Sequence, residues 1–213
     1  MSNSHSDEIR RIVGSQIELI KKDKGAMATL RRGAGRHPCT NMKLLGMLLE
    51  GLPEDLMSKS KDPSYAEWAI YISLTLFAVH QQGNDPNKES ELMHQSCWDK
   101  ETHKLKKEKR LGGAIAQLIH DKNDVKRLTK RFIIMASRDD MEGLSHYLRQ
   151  MIGLLRKKNI PLDYVDLASD LYSFQFPESK SSVKLKWGED FYRVRNKIFE
   201  EEESSSSTNG QSG

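Results

Sequence analysis

The sequence predicts an all-α fold, and three observations predict it. Apolar residues recur at helical spacing through most of the chain, as in Leu144, Tyr147, Leu148, Met151, Ile152 and Leu155. Breakers such as Gly25, Gly33, Gly51-Leu52-Pro53 and Gly83 stand where those stretches stop. No run alternates in a way that makes a convincing strand. The expected architecture is a compact multi-helix bundle with no sheet, open to division into two helical halves. These are 7–82 and 104–199, joined by a loop at 83–103 within a single folded span of 7–199. Residues 1–6 are expected to be disordered, and so is the acidic, then Ser/Gly-rich, tail at 200–213.

Taken in order, Ile9, Ile12, Val13, Ile17 and Ile20 form the apolar face of a first helix ending near Gly25. A short segment, Ala26 to Arg32, is stopped by Gly33 and Gly35. After the turn His37-Pro38-Cys39, Thr40 is the expected cap of a helix carrying Met42, Leu45, Met47, Leu48 and Leu49. Pro63 suits the first turn of the next helix, Tyr65 to Gln82. That helix is apolar nearly all round and should be the buried centre of the N-terminal half, with Trp68 and Phe77 in the core. Asn84 to Cys97 lacks periodicity. A short helix follows on Leu111, Ile115, Leu118 and Ile119.

The segment from Lys122 to Lys158 reads as two helices in series. On a helical projection Val125, Leu128, Phe132, Met135 and Ala136 share one arc of roughly 100°. Lys122, Lys126, Arg127, Lys130, Arg131 and Arg138 all lie outside it, with Ile133 and Ile134 among them. Ser137 to Asp140 breaks the pattern, and Asp139 with Glu142 has capping-box spacing for the second helix. A further helix on Leu162, Val165, Ala168, Leu171 and Tyr172 is ended by Phe176-Pro177. Ser179 to Ser182 reads as a linker, and Val183, Trp187, Phe191, Val194 and Ile198 mark the last helix.

Composition narrows the function. A chain that is 37% hydrophobic and 30% charged has the profile of a soluble, helix-rich protein. Its longest apolar run, Trp68 to Val79, is too short to span a bilayer, and no secretion signal opens it. Cys39 and Cys97 form no CxxC pair, so a reduced, cytoplasmic setting is expected. Between Lys100 and Lys158, 16 Lys and Arg face 7 Asp and Glu, an excess of +9 that leaves the remainder at −5 against the net +4. Such a local field suits a polyanionic partner, although a solvated helical surface has the same composition. Arg31 and Arg32 beside glycines suit phosphate contact, but they equally suit the negative end of a helix dipole.

Catalytic signatures are missing. There is no Walker loop, HExxH or GxSxG, and His94, Cys97 and His103 match no zinc module. No enzyme, cofactor or metal site is expected.

Four segments in this order resemble one family. They are Ala28-Thr29-Leu30-Arg31-Arg32-Gly33, then Leu74-Thr75-Leu76-Phe77-Ala78-Val79-His80-Gln81, then the helix pair from Lys126 to Arg149. The fourth combines Asp170-Leu171-Tyr172-Ser173-Phe174-Gln175-Phe176-Pro177 with Lys186-Trp187-Gly188-Glu189-Asp190-Phe191-Tyr192. Together, from about Ile9 to Phe199, they resemble the CasB-type small subunit of the type I-E CRISPR surveillance complex, Cascade. The resemblance implies a helical, non-catalytic subunit present in two copies, bound to other Cascade subunits, crRNA and target DNA. It helps to hold the target strand and the displaced strand of the R-loop. It implies a binding role for Arg31, Arg32, Lys126, Arg127, Lys130, Arg131, Arg138 and Arg149. The tail from Glu200 to Gly213 has no counterpart in the pattern and is given no role. A helical scaffold whose basic face docks an acidic protein is the alternative. A helix-turn-helix DNA reader is a third reading, against which stand the missing turn glycine and the length of the cationic surface.

Overall fold

A computed structural model of the chain describes residues 2–208, with the side chains of residues 5–121 and 124–200. Among them are nine α-helices: α1 Ser2–Ile20, α2 Lys24–Gly33, α3 Met42–Leu49, α4 Tyr65–His80, α5 Leu111–Ala116, α6 Lys122–Ala136, α7 Met141–Lys157, α8 Tyr164–Phe174 and α9 Pro177–Thr208. The expected all-α class is borne out, with one small addition. Residues Trp98–Asp99 (β1) and Lys104–Leu105 (β2) form a two-residue antiparallel ladder inside the stretch expected to be a loop. A two-residue pairing carries no periodicity that could be read from sequence.

The centre is α4, apolar all round because it is covered all round. Ile70, Tyr71, Ile72, Leu74, Leu76, Phe77 and Ala78 are all buried, and α2, α7 and α8 pack on it, with α1 adding a fourth neighbour. Its start is a full capping box. Glu67 N donates to Ser64 Oγ at 3.0 Å, and Ser64 N donates to Glu67 Oε2 at 2.6 Å. Phe77 is fully buried, edge-on to Tyr164 at 5.5 Å. Trp68 is not in the core. It lies half-buried at the rim, edge-on to His37 at 5.0 Å. The buried side chains of 7–82 and 104–199 form one continuous cluster. The two halves of the sequence therefore share one core, because α1 and α4 both pack on α8.

Several boundaries differ from expectation, each for a local reason. Helix α1 begins at Ser2, inside the span expected to be disordered, and Ser6 Oγ lies 2.6 Å from Ser169 Oγ of α8. Asn41, not Thr40, caps α3, its Oδ1 accepting from Leu44 N at 3.2 Å. Asp140, not Asp139, caps α7, accepting from Gly143 N at 2.6 Å. Asp139 is instead paired with Lys184 at 2.8 Å. Ser179 to Ser182 are helical: Pro177 opens α9, where its missing N–H costs nothing, and Ser179 Oγ donates to Ser173 O at 2.6 Å. The α9 backbone runs on through the tail to Thr208, and residues 209–213 lie outside the described residues. No helix among the described residues is long and apolar enough to cross a membrane.

Close approach of α5 to α9 depends on glycine. A Cβ built at Gly112 would stand 2.0 Å from Trp187 O, so the two backbones meet there without room for a methyl group.

Two predictions follow from the burial around α4. Phe77→Ala should cost about 3–5 kcal/mol by lost burial and a residual cavity, read by chemical denaturation. His80 is fully buried with Nδ1 2.9 Å from Tyr164 Oη. Burial, helped by the Arg156 charge, lowers its pKa from 6.5 to about 4. The unfolded chain therefore binds the extra proton first, and stability should fall as pH drops from about 6.5 to about 4, by up to roughly 3 kcal/mol. His80→Gln should lose that component. The difference between its pH–stability curve and that of the parent is the measurement, since titration of the buried aspartates is common to both.

Candidate nucleic-acid interface

Helix α6 presents its cations because its other face is buried. Leu128, Phe132 and Met135 are in the core, while Lys126, Arg127, Lys130 and Arg131 are exposed. Phe132 stacks on Phe191 of α9 at 4.4 Å, which fixes the rotation of α6 about its axis. The exposed members are not equivalent. Arg127 is engaged by Asp124 one turn earlier. Among the described residues no carboxylate pairs with Lys126, Lys130 or Arg131. The side chain of Lys122 lies outside the described residues.

Lys126 and Lys130 flank a shallow depression of about 370 Å³ floored by Val125, Thr129, Ile133 and Ile134, with Arg195 of α9 on its far side. Ile133 is 50% exposed here, so the isoleucines that interrupt the charges are its apolar floor. The Arg195 guanidinium lies 4.6 Å from the centre of the Tyr192 ring, a cation–π contact that holds it in place. Arg195 was not among the expected site residues. It is remote in sequence from α6, and only the antiparallel run of α9 beside α6 brings it there. Arg138 has a more structural position: its Nε donates to Ile134 O at 3.3 Å and its guanidinium sits 5.2 Å from the Tyr147 ring. It therefore satisfies a carbonyl at the C-terminal end of α6.

The other expected residues gather at the C-terminus of α2. Arg31 and Arg32 occupy its last turn, where the helix dipole favours cations. That end is held by Tyr71, whose hydroxyl donates to Gly33 O at 2.8 Å. Gly35, at φ +76°, then turns the backbone beneath Arg149 of α7, and a Cβ there would be 3.2 Å from Arg149 Cδ. Arg31 also lines a cleft of about 590 Å³ with Lys21, Lys22, Lys24 and the turn at 81–87. The run Lys21-Lys22-Asp23-Lys24 was not among the expected site residues, although its charge is plain in the sequence. Lys21 is tied to Glu18 at 2.6 Å, which leaves Lys22, Lys24 and Arg31 as the cationic wall, with the carboxylate of Asp85 also lining the cleft. The eight expected residues thus form two groups: Arg31, Arg32 and Arg149 around the end of α2, and the rest along α6 and at its end.

The motif residues near the C-terminus do something else. Asp166 is paired with Arg10 at 3.2 Å, Arg110 at 3.3 Å and Lys186 at 2.9 Å. Lys186 also reaches Asp170 at 2.5 Å, Trp187 Nε1 donates to Asp170 Oδ2 at 2.7 Å, and Arg110 reaches Asp190 at 3.1 Å. Burial pushes the carboxyls of Asp166, Asp170 and Asp190 above the usual carboxylate range, most for Asp170, where Asp166 adds repulsion. Shifts of this kind occur at catalytic sites and in structural ion networks alike. Here each carboxylate already has a cationic partner, and none of the three lines the clefts described above, so the network is structural.

The three residues that tempted a zinc reading are separately engaged. His94 Nδ1 accepts from Tyr164 N at 3.2 Å, Cys97 is buried, and His103 lies edge-on to Trp98 at 6.5 Å. Among the described residues no cluster of three His, Cys, Asp or Glu side chains could hold a metal ion.

Comparison with known proteins gives a consistent picture. The family model of CRISPR-associated protein Cse2 matches residues 26–192. CasB from Thermobifida fusca is similar in structure, with TM-score 0.63 and 30% identity over 87% of this chain and 96% of that one. M. ruber CasB has TM-score 0.64 at 22% identity, covering 91% of this chain and 98% of its own. A chain of a CRISPR RNA-guided surveillance complex has TM-score 0.63 at 17% identity over 91% of this chain and 98% of that one, a likeness of fold. No curated protein sequence gives a significant match. With the family model spanning residues 26–192 and a relative at 30% identity covered nearly end to end, the chain belongs to the CRISPR-associated Cse2 family.

Proposed function

We propose that this protein is a non-catalytic, cytoplasmic subunit of an RNA-guided CRISPR defence complex, holding nucleic-acid strands by their backbones while the R-loop is open. The carrying observation is the face of α6. Its Lys126, Lys130 and Arg131 are exposed without carboxylate partners among the described residues, while the opposite face anchors the helix in the core. Family membership supports the setting: other subunits of the complex, crRNA and target DNA, and a second copy of this chain are its proposed partners. Lys and Arg on rigid helices neutralise phosphates without reading bases, so sequence recognition is left to the guide RNA. Opening an R-loop exchanges one duplex for another of similar stability, and a few backbone contacts suffice to tip it.

The group around α2 extends the proposed surface. Arg31, Arg32 and Arg149, with Lys22 and Lys24, offer a second run of cations on a different face of the core. Arg138 contributes less directly, because its side chain is spent on Ile134 O and Tyr147.

Binding to single-stranded nucleic acid should be independent of sequence and should weaken steeply with salt. With about five phosphates neutralised, log K against log salt should have a slope near −3.5 in a titration. A flat response would refute strand holding.

The scaffold alternative is separated by a quadruple variant, Lys126→Ala, Arg127→Ala, Lys130→Ala and Arg131→Ala. Exposed charges contribute little to folding, so its thermal transition should stay within a few degrees of the parent. Target-DNA retention by the assembled complex should fall while co-purification of the subunit is unchanged. Release of the subunit from the complex, with normal DNA binding by what remains intact, would instead assign this face to a protein partner.

A further inference from the structure

A small polar cavity opens where the turn after α2 meets the N-terminal ends of α4 and α7. Its volume is about 160 Å³, and it is lined by Gly35, Arg36, His37, Trp68, Glu142 and Ser145. Every lining residue except Gly35 carries a polar group on its side chain. None of the six was among the expected site residues, but Arg149 borders them. A Cβ built at Gly35 would stand 3.3 Å from Arg149 Nη1, so that guanidinium lies along the Gly35 wall.

Donors in this cavity have nothing to donate to. Ser145 is 6% exposed, and its hydroxyl has no hydrogen-bond partner among the described residues. The same holds for the indole N–H of Trp68 and for the guanidinium groups of Arg36 and Arg149. His37 Nδ1 accepts from Cys39 N at 3.2 Å, so the neutral ring carries its proton on Nε2 and adds a further donor. Its ring stands edge-on to Trp68 at 5.0 Å, which fixes the two against each other. A buried hydroxyl without a partner is destabilising, and a ligand that accepts from it removes the penalty.

We infer that this cavity seats one phosphate group of the bound strand. A phosphate offers only acceptor oxygens, and the lining offers the donors of Ser145, Trp68, His37 and Arg36, with Arg149 alongside. Size agrees, since about 160 Å³ is well below the roughly 300–1,000 Å³ of pockets that enclose a drug-sized molecule. The base is thus left outside, and the seat fixes the backbone at one point without reading sequence. Glu142 is the single carboxylate in the lining. It is exposed and without a cationic partner among the described residues, and it works against the anion. That the phosphate belongs to a strand rests on the strand-holding reading above; the phosphate seat itself does not.

The experiment follows the three indole N–H signals of the full-length chain by nitrogen–proton correlation NMR, with Trp68→Phe identifying the Trp68 signal. Inorganic phosphate should move the Trp68 signal saturably and leave those of Trp98 and Trp187 in place. Sodium chloride of equal ionic strength should move none of them. Ser145→Ala and Arg36→Ala should each weaken the phosphate titration about tenfold or more, the size expected of a hydrogen bond to a charged group. Arg36 is exposed, so its variant should keep the parent's thermal transition. Glu142→Gln should tighten phosphate binding several-fold. An oligothymidylate should move the same signal at far lower concentration, whereas one with an uncharged methylphosphonate backbone should not.

No saturable shift of the Trp68 signal with phosphate, or an equal shift with chloride, would overturn the seat. So would unaltered phosphate binding in both the Ser145 and Arg36 variants. An oligothymidylate that binds by fluorescence anisotropy yet leaves Trp68 unmoved would overturn the strand as occupant and assign the cavity to free phosphate. If the oligothymidylate binds at no salt concentration, strand holding fails, while the phosphate titration still decides the cavity.

Discussion

The structure depends on three buried aspartates and the three partly covered cations that meet them. Asp166 and Asp170 on α8 and Asp190 on α9 are met by Arg10 from α1, Arg110 at the start of α5 and Lys186 from α9. Carboxylates so far from solvent are tolerable only when each is partnered, and removing a partner leaves a buried charge without compensation. The arrangement is therefore all-or-none in character. It requires that α1, α5, α8 and α9 meet at one point. That requirement joins the first helix to the last and makes a single body of a chain that reads as two halves.

Neighbouring features follow from this junction. Trp187, which donates its indole N–H to Asp170, lies flat against Phe174 at 5.9 Å and presents its backbone to Gly112. At the other end of α8, Asp163 caps the helix through Val165 N and Asp166 N and also accepts from Cys97 N at 2.8 Å. Through that bond the irregular stretch between α4 and α5 is pinned to the core. With α9 held by Asp170 and Asp190, Phe191 is delivered to Phe132, and the basic face of α6 is turned outward. The cationic surface is thus a remote consequence of buried carboxylates.

A physical division of labour results. The charges that join the helices are three buried aspartates with their partly covered cationic partners, while the cations of α6 are exposed and, for Lys126, Lys130 and Arg131, without carboxylate partners among the described residues. Buried pairs are little affected by salt, whereas the exposed cations act through a screened field. Salt that would weaken the proposed strand binding would therefore leave the scaffold intact.

Periodicity alone disclosed the helices, the buried centre at Tyr65–His80, and which face of α6 is apolar. These depend on side chains a few residues apart, and the spacing of Leu128, Phe132 and Met135 states the answer directly. The ordered motifs disclosed the family as well. Yet Lys186, Trp187 and Asp190, which carried part of that resemblance, belong to the core network rather than to a binding surface. A charged residue in a sequence does not say whether it faces water or a buried counterion. Caps one residue from their expected place, at Asn41 and Asp140, turned on backbone dihedrals that several adjacent polar residues could have satisfied. What only the tertiary structure decided was long-range: that Arg149 covers Gly35, that Arg195 stands across from Lys130, and that Asp166 gathers three cations from three different helices. Such meetings are set by how whole helices pack, and helix packing couples residues more than a hundred positions apart.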